Sequence, residues 1–146
     1  MNEGSQVPSI GFSRRRTSGL CSPYEEMEWE KREACITNWA DGSIAFMQSD
    51  VEFPSDWSVT ASNIVSQKYF RGELGTTERE SSLKDLIDRV VHQLAQWGHE
   101  DNYFANTEER DVFIDELIYL LVHQYASFNS PVWFNLGVPD TPQQSS

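Results

Sequence analysis

Three histidines, His92, His99 and His123, are the side chains of this sequence best suited to binding a metal ion. No two of them stand four residues apart on one helix, and no cysteine or carboxylate completes a ligand set around them, whereas zinc requires a complete set. His99 precedes Glu100 and Asp101 and is more simply explained as a favourable charge near a helix end. The sequence therefore predicts no metal site.

Adjacent carboxylates could perform acid–base chemistry, but they stand in polar stretches where nothing drives their pKa values apart. The chain has no nucleophile elbow, phosphate-binding loop or dinucleotide fingerprint, and Gly72 and Gly75 lack both the spacing and the preceding strand of such a loop. No catalytic residue is assigned on this basis. The carboxylate pairs are Glu25-Glu26, Glu108-Glu109 and Asp115-Glu116.

Ser130 is the strongest binding candidate because it lies in the aromatic stretch Tyr125–Gly137. Burial of one large aromatic side chain is worth roughly 1.5–3 kcal/mol, so this stretch must pack against a core or a partner. Ser130 precedes Pro131, which predicts an extended conformation for the serine. An extended serine between aromatic walls could hold a ribose hydroxyl or a phosphate oxygen. The residues alone favour the alternative, in which Asn129 and Ser130 satisfy turn hydrogen bonds.

Composition limits the classes of protein to which the chain can belong. It has 146 residues, 38% of them hydrophobic, and a net charge of −12. The length predicts one domain, and the acidity argues against a binder of nucleic acid or anionic membranes. No apolar run approaches the length of a membrane helix, and Arg14–Arg16 is not followed by the apolar segment of a leader. Cys21 and Cys35 read as ordinary reduced thiols, so a soluble cytoplasmic protein is expected.

Two short strands open the predicted fold. Residues 1–23 contain little to bury and are expected to form a flexible tail. Alternating apolar residues predict strands near 33–39 and 43–48, joined by a two-residue turn at Asp41-Gly42. A third extended piece is expected at 50–53, before Pro54.

Three helices follow in the predicted fold. The first covers about 58–70, is capped by Asp56 or Ser58 and ends at Arg71-Gly72. Thr77 and Glu80 match a capping box, which predicts a helix from there to Trp97, closed by Gly98. The third helix begins at Thr107 with an apolar stripe through Phe113, Leu117 and Leu121, and pairs with the second across the loop near 98–106.

Several segments of the chain resemble the N-terminal region of class II, adenosylcobalamin-dependent ribonucleotide reductases. The resemblance covers about residues 24–146 and is specific as a set. Its segments are Lys68-Tyr69-Phe70-Arg71-Gly72, Ile87-Asp88-Arg89-Val90-Val91, Trp97-Gly98, Tyr103-Phe104, His123-Gln124-Tyr125-Ala126, the run Ser127–Gly137 and Pro142-Gln143-Gln144-Ser145-Ser146.

The resemblance implies part of a large α/β-barrel enzyme that reduces ribonucleotides to deoxyribonucleotides through a thiyl radical. Ser130 matches the family's serine or threonine before proline, which contacts the nucleotide substrate, and Ser145 and Ser146 are further candidates for that contact. In the family this region leads almost at once to a reducing cysteine, which is not present here. Neither catalytic nor cobalamin-binding residues are therefore expected on this chain.

The predicted fold class is α+β: a small β-hairpin layer, three main helices and a C-terminal loop, forming residues 24–146 as the N-terminal module of a larger α/β-barrel enzyme. The expected partners are the remainder of the reductase and, through it, the ribonucleotide. The alternative is a stand-alone helical interaction or regulatory protein derived from the same module.

Overall fold

The computed structural model describes residues 10–139 and begins with an antiparallel β-hairpin. Its strands are β1, Trp29–Thr37, and β2, Ile44–Pro54, preceded by a short 3₁₀ turn at Pro23–Glu26. The expected third extended piece is not separate, because β2 continues through it. Asp50 adopts a φ of 56° where the pairing register shifts, so an irregularity takes up the extra residue and the strand carries on to Pro54.

The turn of the hairpin is longer than the predicted two residues. Asn38 N donates to Ser43 O over 2.7 Å, which leaves residues 39–42 as the loop. Of Asp41 and Gly42, only Gly42 has a positive φ, at 74°. The Asp41 carboxylate instead accepts hydrogen bonds from the backbone and hydroxyl of Ser43, so a side chain supplies part of the turn.

In the part of the chain that the structure describes, four helices follow the hairpin: α1, Val59–Lys68; α2, Leu83–Glu100; α3, Thr107–Val122; and α4, Ser130–Asn135. Ser58 caps α1 as predicted, accepting a hydrogen bond from Ala61 N at 3.0 Å. Helix α1 ends before Arg71-Gly72, with Tyr69 as its C-cap. Among residues 10–139, no helix is long and apolar enough to cross a membrane.

Both predicted ends of α2 were wrong. The helix begins at Leu83, and its capping box joins Ser82 with Asp85 rather than Thr77 with Glu80. Glu80 is unavailable for capping because its carboxylate accepts hydrogen bonds from Arg71 N and Arg89. Gly98 does not close the helix but lies buried inside it, where a Cβ would stand 2.7 Å from the Phe104 ring.

Helices α2 and α3 pack against each other across the short loop that follows α2, as predicted, and together they contribute half of the buried core residues. The predicted stripe of α3 was only partly correct. Ile118, Leu121 and Val122 are buried in the core, whereas Phe113 packs at 5.1 Å against Phe12 of the N-terminal segment. Helix α3 therefore contacts the core on one side and the N-terminal segment on another, so its buried residues do not form a single apolar stripe.

The C-terminal stretch is part of this core. Val132, Trp133 and Leu136 are buried, and Leu136 is completely inaccessible. The expected loop contains helix α4, and the prediction that Ser130 is extended was wrong, since Ser130 is the first helical residue and Asn129 is the extended one. Proline is tolerated in the first turn of a helix, where its missing N–H has no partner to lose, and this context overrides the preference of the preceding residue.

Residues 11–17 contact α3 through hydrogen bonds, an ion pair and ring packing. The flexible tail expected over 1–23 otherwise stays a prediction, since residues 1–9 lie outside the described residues. Glu109 accepts hydrogen bonds from the amides of Gly11 and Phe12, and Glu116 accepts them from those of Arg15 and Arg16. The α+β class is confirmed: one hairpin, then helices, with both described ends of the chain packed on the helix pair.

Candidate functional site

Ser130 stands at the start of α4, half-buried, with its hydroxyl oxygen 3.1 Å from the hydroxyl oxygen of Tyr69. Tyr69 is the C-cap of α1, so this hydrogen bond joins two elements that are 61 residues apart in the chain. A serine hydroxyl can donate one hydrogen bond and accept others. When the Tyr69 O–H donates to Ser130, the Ser130 O–H is left to donate to a further oxygen.

Aromatic rings and a cation fix Tyr69 in turn. Its ring stacks on Phe134 of α4, with 5.2 Å between centroids, and the Arg71 guanidinium lies 5.4 Å from the centroid of Phe134. Burial and the nearby charge of Arg89 lower the pKa of Arg71, although Glu80 opposes this shift. The side of α4 that carries Phe134 is thus bounded by α1 and the segment after it.

Arg89 of α2 binds the backbone of the C-terminal stretch. Its guanidinium donates to the carbonyls of Leu136 at 2.7 Å, Trp133 at 2.9 Å and Tyr69 at 3.3 Å. Glu80 pairs with the same guanidinium through both carboxylate oxygens, at 3.1 and 3.3 Å. The two side chains are 9% and 12% exposed, so this is a largely buried ion pair with every guanidinium nitrogen engaged.

A cleft of about 350 Å³ opens beside Tyr69. Phe128 and Trp133 meet edge to face in its wall, with ring centroids 5.4 Å apart. The Trp57 indole N–H donates to the carbonyl of Val122 at 2.9 Å, which fixes another wall. The cleft is mainly apolar, and Gln124 and Ser127 supply polar groups to its lining.

The remaining predicted site residues fall elsewhere. Ser145 and Ser146 lie outside the described residues. Within residues 10–139, no group of three or more His, Cys, Asp or Glu side chains is arranged to hold a metal ion.

Tyr69, Glu80 and Arg89 are the site residues that the sequence analysis missed. Tyr69 and Arg89 both stand in segments that resemble the reductase family and lie within predicted helices, but neither was assigned a role. The local signal for Arg89 is weak, because α2 is amphipathic and its polar residues also include Lys84 and Asp85. The partners of Arg89 in the C-terminal stretch are 44 and 47 residues away in the chain, so no local pattern identifies them.

Comparisons with known proteins find the same family that the sequence segments resemble. The model of the family described as "Class II vitamin B12-dependent ribonucleotide reductase" matches residues 30–77 and 72–124. Ser130 lies beyond these ranges.

Individual relatives extend the similarity over nearly the whole chain. A vitamin B12-dependent ribonucleotide reductase of Streptomyces avermitilis is 49% identical over 144 residues, which is 99% of this chain and 15% of that relative. The protein of the same name from Streptomyces coelicolor is 55% identical over 94% of this chain and 14% of its own length. That of Rhodopirellula baltica is 42% identical over 80% of this chain and 11% of its own. The chain thus spans about 15% or less of the length of these relatives.

Proposed function

Since the chain belongs to the class II, vitamin B12-dependent ribonucleotide reductases, we propose that it forms the N-terminal part of an enzyme that converts ribonucleotides to deoxyribonucleotides by thiyl-radical chemistry. The complete enzyme would use adenosylcobalamin and act in the cytoplasm. The catalytic cysteines and the cofactor site would belong to the remainder of the reductase, which is the proposed partner of this module.

The proposed contribution of this chain to the reaction is a contact between Ser130 and the ribonucleotide. The observation that carries this proposal is the position of the Ser130 hydroxyl, which is half-buried and oriented by Tyr69 at 3.1 Å. A pre-oriented hydroxyl can donate to a phosphate or ribose oxygen without first losing rotational freedom, which is the usual advantage of preorganisation. Ser145 and Ser146 remain further proposed contacts.

Replacement of Ser130 by alanine in a complete reductase that carries this chain tests the proposal. A hydrogen bond to a charged group contributes roughly 1.5–3 kcal/mol, so Ser130→Ala should raise KM by roughly tenfold or more. Steady-state kinetics over a range of ribonucleotide concentrations measures the change.

Ser43→Ala is the control, because Ser43 is exposed in the hairpin turn and its hydroxyl donates to the Asp41 carboxylate rather than to a residue of the site. That variant should retain the parent KM. Unchanged kinetics in Ser130→Ala would return Ser130 to a role in local structure, and the proposed substrate contact would be abandoned.

A further inference from the structure

We infer that Arg89 is a positioning residue for substrate binding, because its hydrogen bonds to backbone carbonyls fix the two segments that carry Tyr69 and Ser130. This inference rests on the proposed function of Ser130. Arg89 itself reaches neither hydroxyl. It binds the backbone of both elements that carry them.

The contacts of the guanidinium fall on two separate pieces of the chain. Trp133 O and Leu136 O lie at the end of α4 and just after it, and they accept hydrogen bonds of 2.9 and 2.7 Å. Tyr69 O, at the end of α1, accepts one of 3.3 Å. A single rigid group thus sets the distance between α4, which begins with Ser130, and the residue that hydrogen-bonds to Ser130.

Glu80 fixes the plane of this group. Its two oxygens pair with Nε and Nη2 of Arg89, and one of them also accepts a hydrogen bond from Arg71 N at 2.7 Å. A guanidinium held on its Nε edge by a carboxylate keeps its Nη donors pointed in fixed directions. A lysine could restore the charge opposite Glu80 but could not reach carbonyls on both elements from one ammonium group.

Arg79 provides an internal comparison because it uses the same chemistry without touching α4. Its guanidinium donates to the carbonyls of Ser66, Phe70 and Gly72, at 2.6 to 3.2 Å. These acceptors lie in α1 and the segment after it. Arg79 therefore stabilises the fold, whereas Arg89 also connects the fold to the segment that carries Ser130.

The test compares Arg89→Lys with Arg79→Lys in a complete reductase that carries this chain. Hydrogen exchange is followed at the amides of Val132 and Trp133 in α4 and of Leu136 directly after it, and KM and kcat are measured separately. We expect Arg89→Lys to accelerate exchange at these amides by roughly tenfold or more and to raise KM similarly, with kcat retained. Arg79→Lys should leave both the exchange of α4 and KM near the parent values.

Glu80→Gln is the second variant, and it provides the test if Arg89→Lys does not fold. It preserves the shape of the pair while removing the negative charge, so both readouts should change in the same direction by a smaller factor. The double variant Arg89→Lys/Ser130→Ala should raise KM no further than the larger single effect, because both changes act on one contact.

The outcomes separate the two proposals. Parent-like α4 exchange in both Arg89→Lys and Glu80→Gln, or an equal acceleration in Arg79→Lys, would overturn the positioning role of Arg89. If Ser130→Ala leaves KM unchanged, the substrate contact fails. The exchange data would then still decide whether Arg89 holds α4.

Discussion

Single atoms decide how the C-terminal stretch fits against α2. Gly137 has a φ of 72°, and a Cβ at this position would stand 2.5 Å from the carbonyl oxygen of Arg89 and 2.7 Å from its Cγ. The obstacle is partly backbone, which cannot rotate aside as a side chain can. Arg89 thus binds α4 through its guanidinium and also lies in close contact with Gly137, just after α4, through its backbone and Cγ.

Gly137→Ala should therefore destabilise the protein more than a comparable change at Gly42. Both glycines have a φ above 70°, but Gly42 faces open space. The left-handed conformation costs a non-glycine residue about 1–2 kcal/mol, and overpacking adds about 1–3 kcal/mol at Gly137 only. Urea unfolding followed by tryptophan fluorescence measures both free energies of unfolding. Equal losses in the two variants would mean that the segment moves away from Arg89 without cost.

Among the elements, α2 shows how competition for one side chain sets a helix boundary. Thr77 and Glu80 have the spacing of a capping box, yet Glu80 is committed to Arg71 and Arg89. The next suitable pair, Ser82 and Asp85, forms the box, with Asp85 accepting from the amide of Ser82 at 3.1 Å. The helix consequently starts several residues later than the local pattern predicts.

Ser82→Ala should lower the free energy of unfolding by about 0.5–2 kcal/mol, which is the usual cost of removing an N-cap. The Ser82 hydroxyl also donates to Glu52 at 2.7 Å, so the loss should fall in the upper part of this range. Thr77→Ala is the control and should change stability by less than about 0.5 kcal/mol. Chemical denaturation monitored by circular dichroism compares the two. A larger loss in Thr77→Ala would show that the first capping box contributes in solution.

For the whole molecule, contacts between distant parts of the sequence hold both described ends of the chain in place. Phe12 packs between Phe104 and Phe113, and Arg14 pairs with Asp115 at 2.8 Å across 101 residues of sequence. Glu116 accepts hydrogen bonds from the backbone of Arg15 and Arg16. The acidic face of α3 thus binds the arginine-rich segment that composition alone assigns to a solvated tail.

Docking of this segment should weaken in acid. Partial burial by itself would raise the pKa of Glu116, but the amides of Arg15, Arg16 and Thr17 and the Thr17 hydroxyl outweigh it and lower the pKa below its ordinary 4.5. A carboxylate whose pKa is lowered by folding stabilises the folded state above pH 4.5 and loses that contribution as the pH falls through the lowered value.

An NMR titration of the amides of Arg16 and Thr17 should therefore show a transition below pH 4.5. Glu116→Gln should abolish this transition, because its amide does not titrate. Glu108→Gln, on the same helix, should preserve it. Persistence of the transition in Glu116→Gln would assign it to another carboxylate.

The sequence by itself determined the elements whose signal is local. The second helix was predicted, although both of its ends were misplaced, and Ser58 was one of the two caps predicted for α1. The hairpin was predicted for the same reason, although its turn and its second strand were longer than expected. The resemblance to the reductase family, carried by short segments, agreed with the later match over residues 30–124.

Only the tertiary structure decided the features that depend on distant partners. Ser130 is helical because α4 packs into the core. Gly98 is a buried residue within α2, where the Phe104 ring leaves no room for a side chain. Arg89 reaches α4 across more than 40 residues of sequence. Local propensities amount to about 1 kcal/mol per residue or less, and buried contacts with a distant segment exceed that amount. The sequence therefore identified Ser130 as a candidate, and the packing of α4 against Tyr69 and Arg89 decided how its hydroxyl is held.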